Sequence, residues 1–301
     1  MTHPAHLQRS AKFRKRWLLN RQGGMKARIA RLPVLHALVM QRLGCQSWVR
    51  ARLFSGEPLW VCTGEATSRG LLSFGYAEAA LTALMLETIR PGMRVVDVGA
   101  HLGYEALLAS VLVGESGRVV SFEPQFDIAR WMSRSLASFR HARVVRAAVG
   151  DACGTAEFAE LDVRRSALSG LITDDANHEQ GRKIRVPVTT LDQAVEADER
   201  PVDFLKCDVE GGELAVLRGA RGLLERDRPL IVLEAGMLGD AKTGSRTAAL
   251  TALLTPLGYR GMSFEFDGAL ALAPLGKLHA GHANIAFVPP GRSEFERLAT
   301  P

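Results

Sequence analysis

Val95-Val96-Asp97-Val98-Gly99-Ala100-His101-Leu102-Gly103 decides the fold: a hydrophobic strand runs into a turn punctuated by two glycines, and Tyr104–Val113 continues it as a helix. Glycines at 99 and 103 let the backbone bend sharply and approach a ligand, because a Cβ there would take the space the ligand needs. A dinucleotide loop would read G-x-G-x-x-G and point a helix N-terminus at a pyrophosphate. Here the glycines are differently spaced and Asp97 stands at the strand end. A carboxylate beside the turn suits a cationic headgroup rather than a phosphate.

The next strand, Gly117–Phe122, ends in Ser121-Phe122-Glu123-Pro124, so a second acid lies just past a strand tip. A carboxylate there can accept hydrogen bonds from both hydroxyls of a ribose. One acid at a strand end is usually an ordinary cap; two of them around a glycine turn describe a nucleoside with a positively charged tail.

Outward from this stretch, helix-like and strand-like blocks alternate, the pattern of a parallel sheet covered on both faces. Ala77–Ile89 and Phe126–Phe139 are expected helices, with Arg143–Ala147, Val202–Cys207 and Leu230–Leu233 as strands and Glu213–Leu224 and Thr247–Thr255 as further helices. Tyr259–Phe266 and Asn284–Val288 read as two strands with no obvious helix between them, which implies an antiparallel pair at one edge. Leu161–Gly181 is polar and too long for an ordinary connection, so it is expected to be a mobile loop or a substrate lid.

Phe204-Leu205-Lys206-Cys207-Asp208-Val209-Glu210-Gly211-Gly212-Glu213-Leu214 concentrates charge at a strand end. Strand alternation sends Phe204, Lys206 and Asp208 to one face and Leu205, Cys207 and Val209 to the other. Asp208 is the first candidate for a base or substrate-orienting group, Glu210 the second, and Lys206 a partner that fixes the carboxylate. The plain structural reading is a buried Lys–Asp pair that never touches substrate. Glu234, after Leu230–Leu233, occupies an analogous position. Asp208, Glu210 and Glu234 have the oxygen ligands a divalent ion needs, but their spacing in the chain does not establish its geometry.

This series of motifs, together with Ala147-Ala148-Val149-Gly150-Asp151, Thr189-Thr190-Leu191-Asp192 and Leu217-Arg218-Gly219-Ala220, resembles that of the FkbM-type methyltransferases. The resemblance implies an α/β, Rossmann-like class I methyltransferase fold: a seven-stranded, mostly parallel sheet, helices on both faces and an antiparallel C-terminal edge. It implies S-adenosylmethionine as cofactor, held by Asp97, Gly99, His101 and Gly103 near its methionine end, by Glu123 at the ribose and by Asp151 near the adenine. It also implies O-methylation of a hydroxyl on a sugar, glycan or polyketide-type metabolite. His101 stands where the family usually has Asn, so the contact at that turn is expected to differ.

Charge is unevenly spread. Of 38 basic and 32 acidic residues, the first 56 positions hold 12 of the basic (Arg9, Lys12, Arg14, Lys15, Arg16, Arg21, Lys26, Arg28, Arg31, Arg42, Arg50, Arg52) and none of the acidic, which leaves the rest with a net charge of −6. Residues 1–56 are therefore expected to be a basic, partly helical or disordered extension, with 57–301 as the methyltransferase domain. Ile29, Leu32, Leu35, Leu38, Val39 and Leu43 suit one helix face, which could lie on an anionic membrane or a partner. An alternative start at Met25 would remove half of the basic excess. An RNA acceptor gripped by the basic segment and a catalytically silent cofactor-binding module are the competing functions. The acidity of 57–301 and the lack of an N-P-P-Y motif oppose the first, and His101 is the hint for the second. Cys45, Cys62, Cys153 and Cys207 form no CxxC pair and no zinc-spaced cluster, so neither a disulfide framework nor a structural metal is indicated, and a reducing cytoplasm fits best. Val34–Met40, interrupted by His36, is too short to span a membrane, and no signal peptide is legible.

Overall fold

The computed structural model describes residues 4–22, 47–171, 181–237, 241–275 and 282–296, with 32, 35, 39, 42 and 298 besides. The chain opens with helix α1 (Pro4–Gln22), the antiparallel hairpin β1 (Trp48–Arg52) and β2 (Pro58–Cys62), and helices α2 (Ala66–Phe74) and α3 (Ala79–Thr88). Phe13 of α1 is 1% exposed. Its ring lies 5.4 Å from Phe54, 5.3 Å from Tyr76 and 5.2 Å from Phe266, and Asn20 donates to the Tyr76 hydroxyl at 3.0 Å.

These contacts correct the expected division after residue 56. It falls in the turn of the hairpin, whose register from Trp48↔Cys62 to Arg52↔Pro58 ties the two sides together, and α1 contributes to the main core. Residues 4–22 therefore belong to the fold; Met25 itself lies outside the described residues. Leu32, Leu35 and Val39 are helical and exposed, whereas Ile29, Leu38 and Leu43 of the expected apolar face also lie outside the described residues.

From residue 94 the chain winds an open sheet: β3 (Arg94–Val98), α4 (Tyr104–Val113), β4 (Arg118–Phe122), α5 (Phe126–Leu136) and β5 (Ala142–Val145). A second, four-stranded sheet follows, built from β6 (Ala148–Val149), β7 (Gly154–Glu160), β8 (Gly170–Leu171) and β9 (Arg182–Thr189). Next come α6 (Leu191–Ala194), β10 (Phe204–Cys207), α7 (Glu213–Arg218), α8 (Arg221–Asp227), β11 (Leu230–Met237) and α9 (Ala241–Leu254). The chain finishes with β12 (Arg260–Phe266), β13 (Leu270–Pro274), β14 (His282–Val288) and α10 (Ser293–Glu296).

The main sheet has the order β13-β12-β14-β11-β10-β3-β4-β5; β11, β10, β3, β4 and β5 are parallel and the remainder antiparallel. The expected seven strands are present, with β13 added at the antiparallel edge. Alternation divides the sheet between two cores: Val95, Val119, Phe204 and Val232 face one, and Val96, Val120, Leu205 and Ile231 the other. All ten residues of α4 are buried, as expected of a helix that is apolar all round. The single helix expected over Glu213–Leu224 is two, broken where Ala220 leaves the helical region (φ −113°, ψ 11°), next to Gly219, where a Cβ would stand 2.0 Å from the Gly150 carbonyl oxygen. Asp192 caps the second, accepting from Gly222 N at 2.9 Å and Leu223 N at 2.7 Å.

Phe13→Ala tests whether α1 is integral to the fold. Emptying this buried aromatic site should lower unfolding stability by about 3–5 kcal/mol, measured by denaturant titration, while Lys12→Ala on the exposed face should change it by less than about 0.5 kcal/mol.

Candidate active site

In the main sheet, β3 leads through β4 to β5 on one side, and β10 leads to β11 on the other. The crevice at the carboxyl ends of β3 and β10 is thus a topological switch point, where open α/β sheets take their ligands. Gly99 (φ +72°) makes the two tips meet. A Cβ there would stand 1.7 Å from the Asp208 carbonyl oxygen, and Asp208 N donates to Val98 O at 3.1 Å. The glycine thus clears space for the neighbouring strand tip, where the sequence suggested it cleared space for a ligand. Gly103 (φ +81°) likewise faces protein, the Met132 side chain at 2.4 Å.

Lys206 joins the pieces. It is the register partner of Asp97 across the parallel β10–β3 pair, is 5% exposed, and donates to Gly99 O at 3.0 Å. Its Nζ lies 3.5 Å from Asp97 Oδ1 and 3.4 Å from Asp208 Oδ2. Burial works against its charge, but Asp208, Asp97, Glu105 and Glu78 together hold its pKa well above the usual value. Burial raises Asp97, with Lys206 opposing. Both carboxylate oxygens of Asp97 lack a hydrogen bond, and the residue lies beneath the ligand cavity, outside its lining.

The cavity occupies about 520 Å³. On the β4–β5 side its wall is apolar, formed by Phe122, Ala147, Ala148, Val149, Phe158 and Leu171, with Glu123 among them. Glu123 is 3% exposed; one oxygen accepts from Gln125 N at 2.8 Å and the other from His101 N at 2.9 Å. Burial pushes its pKa up to about 7, against the pull of those donors. Each oxygen retains acceptor capacity for a ribose hydroxyl. Asp151, expected near an adenine, is exposed in the turn after β6 and is not part of the lining. The apolar residues Ala147–Val149 occupy that part of the wall.

Part of the expected lid is built into the site. A 3₁₀ turn over Val163–Leu168 and the short β8 bring Ser166, Leu168 and Leu171 to the cavity, while residues 172–180 lie outside the described residues. Gln125 Nε2 donates to Ser166 O at 3.1 Å, and His101 Nε2 lies 2.7 Å from Ser166 Oγ. The hydroxyl spends its single proton on Val163 O at 2.9 Å, so it accepts from His101 and fixes the Nε2–H tautomer. Burial lowers the His101 pKa and favours the neutral ring. A histidine at this turn therefore reaches across the cavity to hold its cover.

On the β10–β11 side the wall is acidic. Cys207 pairs with Leu233, so Asp208 and Glu234 emerge side by side. Ligand oxygens of Asp208, Glu210 and Glu234 all lie within 4.8 Å of one another. That spacing could hold an oxygen-ligated cation, although Lys206 already supplies a positive charge there. Burial, with Asp208 adding to it, raises Glu234 to about 10, so at neutral pH it is protonated and hydrogen-bonds Asp208. Asp208 is held below the ordinary carboxylate range: burial pushes up, but Lys206 and the Glu234 bond outweigh it. No hydrogen bond engages the Glu210 side chain among the described residues. Burial, then Asp208 and Glu213, raise it to about 7 against Arg246 and Lys206.

The sequence reading missed Glu78 and Glu105. Glu78 accepts from Asn284 Nδ2 at 2.7 Å, and Glu105, raised by burial to about 8, lines the cavity from the first turn of α4. An acid in a first helical turn reads as a partner for the helix dipole, so its position one residue past the glycine turn is the only signal.

The apolar wall with Glu123 beside it has acceptors free for a ribose, and the opposite wall offers acids to a cationic group. The fold and site are those of a class I methyltransferase domain with S-adenosylmethionine as cofactor. Residues 97–260 match the methyltransferase FkbM domain family, and the chain belongs to it. A stretch of 105 residues is 30% identical to a protein-L-isoaspartate O-methyltransferase of Methanopyrus kandleri, covering 34% of this chain and 42% of the relative, so the chain spans less than half the length of that curated relative. Among solved structures it is similar to methyltransferase FkbM from Methylobacillus flagellatus (TM-score 0.44, 16% identity, 73% of this chain and 54% of the other). It is also similar to Aeropyrum pernix fibrillarin with bound S-adenosyl-L-methionine (TM-score 0.41, 17% identity, 69% and 73%).

Gly99→Ala should abolish S-adenosylmethionine binding by calorimetry and lower the melting temperature, while Gly154→Ala, with nothing within 4 Å of the new Cβ, should leave both unchanged. Ser166→Ala releases the cover and should weaken cofactor binding by about 0.5–1.5 kcal/mol with the melting temperature of the unliganded protein retained.

Proposed function

We propose that the protein transfers the methyl group of S-adenosylmethionine to a hydroxyl of a sugar, glycan or polyketide-type metabolite. The observation that carries this reading is Glu210, a carboxyl raised to about 7 in the same cavity as the nucleoside wall. A hydroxyl is a poor nucleophile at neutral pH and gains from a base whose pKa lies near the working pH. Transfer is an in-line displacement, so the protein's further task is to align the acceptor and exclude water. The bound cofactor supplies the electrophilic methyl group.

Asp208 was the first candidate from the sequence, but Lys206 and Glu234 engage its oxygens. We assign it the orientation of the acceptor and give Glu210 the proton. Lys206 fixes Asp208 and the Gly99 turn together. The remaining carboxyls, Glu78 and Glu105, offer acceptors to the several hydroxyls of a sugar-like substrate. The net charge of −6 beyond residue 56 argues against RNA as the acceptor. Cys62, Cys153 and Cys207 are free thiols, which supports placing the protein in the reducing cytoplasm.

Incubation of cell-extract glycans and metabolites with methyl-labelled S-adenosylmethionine, read by mass spectrometry, should find a labelled hydroxyl product. Glu210 must be ionised to act, so kcat should fall about tenfold per unit as pH drops below about 7 and level off above it. Glu210→Gln should lose about 10²-fold or more in kcat while binding the cofactor within a few-fold. Full turnover in that variant, or label confined to RNA, would refute the assignment.

A further inference from the structure

Seven large apolar side chains are exposed among the described residues: Leu7, Leu18, Leu32, Leu35, Val39, Phe126 and Leu168. Leu168 lines the cavity, and Phe126 lies under the Arg146 guanidinium at 5.0 Å. The other five all fall within the first 56 residues, the stretch that carries 12 basic residues and no acidic one.

The placement is ordered. Phe13 and Trp17 of α1 face the core against Phe266, which fixes the helix in rotation and leaves Leu7, Lys12, Arg14, Lys15 and Leu18 on its outer side. Leu32, Leu35 and Val39 are helical positions spaced three and four apart, which is one face of a helix, and are 56%, 58% and 51% exposed. We infer that α1 and the helical positions 32, 35 and 39 serve as an interfacial anchor that seats the protein on an anionic lipid surface, with Leu7, Leu18, Leu32, Leu35 and Val39 entering the headgroup boundary and Lys12, Arg14 and Lys15 pairing with lipid phosphates.

Each alternative uses half of this surface. Nucleic acid would take the positive charge, but single strands are held by stacking on aromatic faces, and the exposed apolar residues here are aliphatic. A membrane interface uses both, because aliphatic burial and attraction to anionic headgroups add. No helix among the described residues is long and apolar enough to cross a membrane, and the run Val34–Met40 is too short to span one, so the proposed anchor lies on the bilayer.

Co-sedimentation of the full-length protein with vesicles of phosphatidylcholine, with and without phosphatidylglycerol, tests this. Binding should be at least about tenfold tighter to the anionic vesicles and weaken with added salt. A triple variant, Leu32→Glu with Leu35→Glu and Val39→Glu, should bind at least about tenfold more weakly, with its melting temperature and cofactor affinity those of the parent. Leu35→Ser gives a milder change that keeps the test open should the triple variant fold poorly. The inference fails if the parent stays in the supernatant with anionic vesicles, if the substituted proteins sediment as the parent does, or if the parent binds single-stranded RNA more tightly than anionic vesicles.

Discussion

A single buried ammonium, that of Lys206, holds the ligand site together. Three attachments converge on it: a hydrogen bond to the Gly99 carbonyl and ion pairs to Asp97 and Asp208. They couple the glycine turn of β3 to the tip of β10. Burying such a cation is worthwhile only if its partners are in place, because breaking a buried pair costs about 3–5 kcal/mol through the uncompensated charge left behind. The pairing follows from strand register, which sets Lys206 beside Asp97 with no loop in between. Gly99 then lets the two strand tips approach closely enough for the third attachment. Asp97 thus acts on the turn from beneath the cavity, by fixing the cation that holds it.

Much of this was legible because it is local. Valine-rich strands, a glycine turn and acids at strand ends can all be recognised within a dozen residues, and the parallel core and the antiparallel β12–β14 edge follow from them. The second sheet was missed because its strands do not advertise burial. Gly154–Glu160 and Arg182–Thr189 each contain charged residues and lie mostly at the surface. Helix α1 escaped notice for a different reason. Phe13 is buried by Phe54, Tyr76 and Phe266, contacts far along the chain, while the surrounding Lys and Arg residues face outward and dominate the composition. The acid assigned to an adenine failed on the same ground: the motif ends at Asp151, but whether a turn residue points in or out depends on how Gly150 packs against Gly219.

The departure at His101 gains meaning only in three dimensions. Its backbone N–H braces Glu123 and its ring holds Ser166, so one residue links the Glu123 carboxylate to the cover of the cavity. Gln125 repeats the arrangement, its backbone on Glu123 and its side chain on the Ser166 carbonyl. Two residues from two different turns thus tie the same pair of elements, which favours one geometry for the cover and one orientation for Glu123.

Burial gives the carboxyls of the cavity a further property. Glu105, Glu123, Glu210 and Glu234 are raised to about 8, 7, 7 and 10, so near neutral pH the cavity carries fewer negative charges than its carboxyl count suggests. A cationic ligand stabilises the ionised forms, so its binding is linked to proton release. A sulfonium bound here would become a neutral thioether on losing its methyl group, and the carboxyls would then regain their protons. The cavity would thus attract the charged methyl donor more strongly than the spent product. That difference is electrostatic and requires no change of shape, which suits a cavity whose cover is pinned from two sides.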